Sequence, residues 1–296
     1  MVSRLPRPDT PERTERKRRR RRRRLRVRRL PISTLPTMLT LGNVLCGFMA
    51  IFFASRPVAA DLPFGWTPLT FASSAIFLGM LFDGFDGRVA RLTHSTSELG
   101  EQLDSMADMT TFGVAPAFIA IQLAGAGFPY LTDSGDHLMG RATLIIGCVF
   151  VSCAALRLAR YTVEARAKRH ADPNFFRGLP SPGAAGTVAS LALLHQHLLH
   201  VAEPSPGMVN AAAMVMVGVM LLTGLAMVSK LPYSHVMNRY LRDRAGVGTI
   251  AMYVVVGLLL LIYPQVSLAA GFTLYALSAP VGWCLRKARG LLGRTQ

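Results

Sequence analysis

The sequence predicts an all-α fold, a polytopic transmembrane helical bundle of about eight spans. Three observations predict it. Apolar runs of about 20 residues recur along the chain, each long enough to cross ~30 Å of hydrocarbon as a helix. Apolar residues make up 51% of the composition and charged residues only 17%, with a mean hydropathy of +0.35, whereas soluble domains carry about a quarter charged residues. Outside the N-terminus, Lys and Arg gather in alternate connecting segments, the pattern that a membrane imposes.

The chain opens on an arginine-rich stretch, "KRRRRRRRLRVRR", and fifteen of its thirty-three Lys and Arg fall within the first thirty residues. The net charge of +17 is therefore concentrated in one arm. With no apolar stretch of its own, the arm is not a cleavable signal peptide. Residues 1–30 read as a disordered cytoplasmic arm whose partners are anionic lipid headgroups. Nucleic acid is the rival partner and is disfavoured, because no aromatic residues interleave with the arginines.

Spans are expected at about 37–55, 66–83, 106–127, 142–160, 183–200, 208–228, 247–263 and 266–284, with Pro and Gly at their ends in "SRPVAADLPFG" and "EPSPG". The basic residues fix the expected orientation. One side holds Arg88 and Arg91; Arg157, Arg160, Arg166, Lys168, Arg169 and Arg177; Lys230, Arg239, Arg242 and Arg244; and the tail Arg286, Lys287, Arg289 and Arg294. The other side holds only Arg56 and Arg141. Both termini are thus expected in the cytoplasm, with a transmembrane catalytic domain over 31–285 and a basic cytoplasmic tail over 286–296. Cys46, Cys148, Cys153 and Cys284 all lie in apolar runs with no CxxC pair and read as packing residues.

One stretch breaks the apolar pattern: "FDGFDGRVARLTHSTSELGEQLDSMAD" at residues 82–108. Asp83 and Asp86 stand three residues apart, on one face at the cytoplasmic end of the second span. Ser95 and Glu98 have capping-box spacing for a new helix, and Glu98 and Glu101 suit its positive end. Asp104 and Asp108 come next, one turn apart. Four carboxylates facing one another across two helices cannot all remain ionised without cations, because like charges raise each other's pKa. Mg²⁺ or Mn²⁺, hard ions that prefer oxygen, answer that need, two ions being the expected number. Acids at a membrane edge are usually functional. A cation transporter would place its acids near mid-membrane with a second copy in a symmetric half; these lie at one face and have no second copy.

Gly87 and Gly100 sit one turn from Asp83 and Asp104. A bulky ligand could approach the backbone there, or the two glycines could serve close helix packing. Arg91, one turn beyond Gly87, has the planar fork that suits phosphate. His94 reads as a solvated turn residue. His195, His197 and His200 fall near the far end of the fifth span, away from the carboxylates, and read as interfacial.

The pattern Asp83-x-x-Asp86-Gly87-x-x-Ala90-Arg91, eight residues, then Gly100-x-x-x-Asp104-x-x-x-Asp108 resembles the complete signature of the CDP-alcohol phosphatidyltransferase family, with none of its eight positions departing. The segments "LPTMLTLGNVLCGFMAI", "FGVAPA", "LRLARY", "FRGLPSPGAAG" and "SKLPYSH" are similar to the integral-membrane, serine-using branch of that family. The likeness covers about residues 31–240; the last two spans share only their apolar character.

The resemblance implies a reaction: CDP-diacylglycerol and L-serine give phosphatidylserine and CMP. It implies metal binding by Asp83, Asp86, Asp104 and Asp108, with Asp108 also the general base toward the serine hydroxyl. It implies that Gly87, Ala90, Arg91 and Gly100 cradle the CDP-lipid, joined by Asn43, for which interhelical glue is an equal reading. The serine carboxylate needs a cation, and Arg157, Arg160 and Arg177 are the candidates. Inositol phosphate, glycerol phosphate or choline as acceptor stays open, and a homodimer is among the expected assemblies.

Overall fold

Where a chain threads lipid, water does not drive helices together, so small residues and buried polar bonds decide how they pack. The computed structural model describes residues 34–57, 62, 65–93, 98–127, 137–167, 175–201, 206–234 and 247–292. The helices are α1 (Thr34–Ala54), α2 (Pro68–Leu92), α3 (Glu98–Asp108), α4 (Ala115–Gly127), α5 (His137–Ala167), α6 (Ser181–Val201), α7 (Pro206–Val228), α8 (Val247–Ile262) and α9 (Pro264–Leu292). Among the described residues, six helical segments are long and apolar enough to cross a membrane: Leu35–Ala54, Pro68–Leu92, Glu98–Gly125, Gly140–Val163, Gly207–Val228 and Pro264–Lys287. The expected fifth and seventh spans are present as α6 and α8. α6 can be less apolar because it runs through the middle of the bundle, packed on α2, α4, α7 and α9, with Thr187, Ser190 and Gln196 buried.

The core is built largely from alanine and glycine. Ala50, Ala72, Ala107, Ala115, Ala120, Ala154, Ala185 and Ala189 are fully buried, while Phe48, Leu81, Ile145, Leu222 and Leu274 are exposed on outer faces. This inversion of the soluble pattern suits a lipid surround. α2 begins on a capped turn: Thr67 Oγ1 accepts from Thr70 N at 3.2 Å, and proline fills the first helical position. It then runs unbroken through both of its aspartates to Leu92. α3 starts at Glu98, with Glu98 and Glu101 in its first turn as expected; Ser95 and His94 lie outside the described residues. Between α3 and α4 the chain forms a π-helical turn, Met109–Val114, in which Ala115 N bonds Thr110 O. Such turns insert one residue into the ladder and rotate the helix beyond them.

One departure from an all-helical reading is a pair of three-residue strands, β1 (Phe175–Arg177) and β2 (Pro232–Ser234). They pair antiparallel with Phe176 opposite Tyr233 and Arg177 opposite Pro232. The clip continues through Gly178 N to Leu231 O at 2.9 Å and Leu179 N to Ala226 O at 3.0 Å. Gly178 has φ +90°, and a β-carbon there would collide with the Met227 carbonyl, so glycine is required. Burial pushes the Tyr233 phenol up to about 12, and its hydroxyl donates to Ala276 O at 3.0 Å. The "FRGLPS" and "SKLPYS" segments are thus tied to each other and to α9. That last helix runs to Leu292, beyond the expected end of its span and into the basic tail. The arm over 1–30 and Lys168, Arg169, Arg239, Arg242 and Arg244 lie outside the described residues.

Candidate active site

α1 presents Thr40, Asn43 and Gly47 at spacings of three and four, hence on one face. That face meets α2, α3 and the π turn. Two glycines set the distance: a β-carbon on Gly79 would lie 2.6 Å from Thr111 Cγ2 and 2.9 Å from Asn43 Oδ1, and one on Gly47 would lie 3.0 Å from Thr111 Cα. Thr111, brought round by the π turn, donates from Oγ1 to Asn43 O at 2.8 Å. Close backbone approach here places Asn43 against the carboxylates.

Asp83, Asp104 and Asp108 each offer an oxygen such that all three lie within 4.8 Å of one another. Asp83 and Asp108 are in hydrogen-bonding reach of each other, and Asn43 Nδ2 donates to Asp108 Oδ1 at 3.3 Å. Asp86, only 5% exposed, borders the cluster and repels Asp83 and Asp104, but its Oδ2 accepts from Thr40 Oγ1 at 2.8 Å. The fold therefore brings three of the four expected ligands into one cluster and anchors the fourth beside it.

The donor set fits a hard cation. Asp104 Oδ1 and Asn43 Oδ1 are buried with no hydrogen-bond partner, and buried acceptors are otherwise nearly always satisfied. Three carboxylates so close need positive charge between them. One source is protein: Arg157 acts electrostatically on Asp108, and its Nη1 donates to Ser181 Oγ at 2.6 Å.

The remaining expected residues separate. Gly87 is exposed and a β-carbon there would meet nothing within 4 Å, so it is an open backbone face and not a packing contact. Arg91 is exposed and donates from Nε to Gly87 O at 2.9 Å, which lays its fork along that same face. Ala90 and Gly100 are half-buried on α2 and α3. Arg160 is half-buried on α5, and Arg177 stands on β1. His195 Nδ1 lies 3.3 Å from Gln196 Nε2, far along α6 from Ser181 at its start. Thr40, Thr111, Gly47, Gly79 and Ser181 are the site residues that the aspartate motif alone does not point to.

The sequence profile of the CDP-alcohol phosphatidyltransferase family matches residues 33–225. The chain belongs to this family. All of the carboxylates, Asn43, Arg157 and Ser181 fall within the family segment, whereas α8 and α9 lie beyond it. Among curated relatives, a CDP-diacylglycerol–serine O-phosphatidyltransferase of Helicobacter pylori is 31% identical over 195 residues, covering 66% of this chain and 72% of its own. The protein of that name from Bacillus subtilis is 30% identical over 165 residues, 56% of this chain and 78% of its own. The Saccharomyces cerevisiae protein of that name is 39% identical over a shorter 121 residues, 40% of this chain and 39% of its own.

Proposed function

We propose that this phosphatidyltransferase moves the phosphatidyl group of CDP-diacylglycerol to the hydroxyl of L-serine, giving phosphatidylserine and CMP. The observation that carries the proposal is the clustering of Asp83, Asp104 and Asp108, with oxygens within 4.8 Å of one another. The names of the relatives support serine as the acceptor.

Mg²⁺ or Mn²⁺ held by Asp83, Asp104 and Asp108, with Asp86 alongside, would neutralise the pyrophosphate, polarise the phosphorus and stabilise departing CMP. The chain's own residues supply the rest. Asp108, held by the Asn43 amide, takes the proton of the serine hydroxyl as the new O–P bond forms and the bond to CMP breaks. Displacement is in line and in one step, since the signature holds no cysteine and its described residues hold no histidine-partnered serine to serve as nucleophile. The open face over Gly87 and Arg91 admits the cytidine and its phosphates, with Ala90 and Gly100 flanking. Arg157, whose charge is felt at Asp108, pairs with the serine carboxylate. The positive-inside pattern supports a cytoplasmic location for this face and both termini, and the charge of the Arg-rich arm supports its lying on anionic lipid.

An acceptor panel tests the proposal. Purified protein in detergent, given CDP-diacylglycerol and Mn²⁺, should use serine and reject ethanolamine, which keeps amine and hydroxyl but lacks the carboxylate. A site built to pair a charge leaves its arginine unsatisfied with the wrong substrate, so discrimination of roughly a hundredfold or more is expected. Ethanolamine, glycerol phosphate, inositol phosphate or choline used as well as serine would overturn the acceptor assignment.

A further inference from the structure

We infer that Thr40 is a positioning residue of the candidate metal centre: its hydroxyl fixes the carboxylate of Asp86, the acid outside the three-oxygen cluster, so that Asp86 serves the same cation. The inference rests on the reading that the carboxylates hold Mg²⁺ or Mn²⁺.

Asp86 is the acid in most need of a fixed hold. It follows Asp83 by three residues on one face of α2. Asp83 already shares with Asp104 and Asp108 a cluster whose oxygens lie within 4.8 Å of one another. Like charges repel at such range, and a fourth carboxylate left free would turn away from them.

The opposing hold comes from α1. Thr40 Oγ1 donates to Asp86 Oδ2 at 2.8 Å. Each of the two residues is only 5% exposed, so water does not compete for the bond, and a carboxylate acceptor makes it stronger than a bond between neutral groups. A threonine in an apolar helix ordinarily gives its hydrogen to the carbonyl one turn back. For Thr40 that carbonyl is Pro36 O, at 3.0 Å. One hydrogen faces two acceptors, and the carboxylate is both the nearer and the charged one. Valine would match the shape of threonine and suit an apolar helix better, so packing alone does not call for a hydroxyl here.

The placement of Thr40 on α1 is an independent observation. Three residues on, along the same face, Asn43 Nδ2 donates to Asp108 Oδ1 at 3.3 Å. α1 thus offers two donors about one turn apart, one to an acid of α2 and one to an acid of α3. Close contacts fix their height: a β-carbon at Gly42 would lie 3.3 Å from the Phe82 ring, next to Asp83, and one at Gly47 would lie 3.0 Å from Thr111 Cα. The Thr40 bond is the α2 half of a brace that sets the acids of α2 and α3 against each other.

The test is Mn²⁺ binding to metal-stripped, full-length protein in detergent, read from the electron paramagnetic resonance signal of free Mn²⁺. Thr40→Val keeps the branched shape and removes the donor, whereas Thr40→Ser keeps the donor. Thr40→Val should weaken binding roughly tenfold, as loss of an outer partner of a metal-binding carboxylate does, and Thr40→Ser should stay within about twofold of the parent protein. Thr40→Ala, which also lacks the donor and cannot overpack, should match Thr40→Val. On an Asp86→Ala background, itself weakened, Thr40→Val should have no further effect, because it acts through that carboxylate. Parent-like binding in Thr40→Val or in Asp86→Ala, equal losses in the valine and serine variants, or full additivity with Asp86→Ala would each overturn the inference and leave the Asp83, Asp104 and Asp108 site standing. A parent protein that takes up no Mn²⁺ would show that the metal reading beneath it has failed, and the inference with it.

Discussion

Asn43 and Asp108 are joined across the α1–α3 interface, Nδ2 donating to Oδ1 at 3.3 Å, while the Asn43 backbone carbonyl accepts from Thr111 at 2.8 Å. The asparagine is completely buried, and its side-chain oxygen has no hydrogen-bond partner. One residue thus orients the candidate base and offers a further oxygen to whatever fills the cluster. Asn43→Ala should lower kcat by roughly ten- to a hundredfold, the usual consequence of losing a group that orients a metal-site carboxylate. A rate within about twofold of the parent protein would show that Asn43 is only interhelical glue.

Gly79 and Gly87 lie on the same helix and should respond oppositely to alanine. At Gly79 the new methyl meets Thr111 and Asn43 at 2.6 and 2.9 Å; overpacking of this kind costs about 1–3 kcal/mol and should be visible as a lowered thermal midpoint in detergent. At Gly87 nothing lies within 4 Å, so Gly87→Ala should leave the midpoint unchanged and raise the KM for CDP-diacylglycerol. A destabilised Gly87→Ala with unchanged KM would return Gly87 to a packing role.

Asp108→Asn keeps the size and the hydrogen-bonding edge of the side chain but cannot take a proton. Turnover should fall by roughly 10²–10⁴-fold, while binding of CDP-diacylglycerol stays within about tenfold because the neighbouring carboxylates remain. Turnover like that of the parent protein would remove Asp108 from the proton transfer.

Much of this site is legible in the sequence because helix geometry is periodic. Aspartates three and four residues apart must share a face, and an apolar chain gives carboxylates few other reasons to occur. Thr40 and Thr111 are harder to find, since a threonine in an apolar helix ordinarily bonds its own preceding turn. Thr40 does reach Pro36 O at 3.0 Å as well as Asp86. The π turn that brings Thr111 to Asn43 leaves no periodic mark, and strands of three residues are too short to alternate.

The arginine-rich arm should act through membrane affinity and not through chemistry. Removing residues 1–29 should leave kcat in detergent unchanged, while a peptide of that sequence should bind vesicles containing anionic lipid and release as salt rises. A lowered kcat in detergent would give the arm a part in the reaction.

The central claim is that the carboxylates of α2 and α3 carry a metal-dependent phosphatidyl transfer to serine. Its most direct measurement is the conversion of CDP-diacylglycerol and labelled serine to phosphatidylserine and CMP by purified protein, before and after exhaustive chelation. Equal amounts of the two products are expected, with loss of both on chelation and recovery on adding Mg²⁺ or Mn²⁺. Turnover that survives thorough chelation, or recovery that is the same in an Asp83→Asn, Asp104→Asn double variant, would contradict the claim.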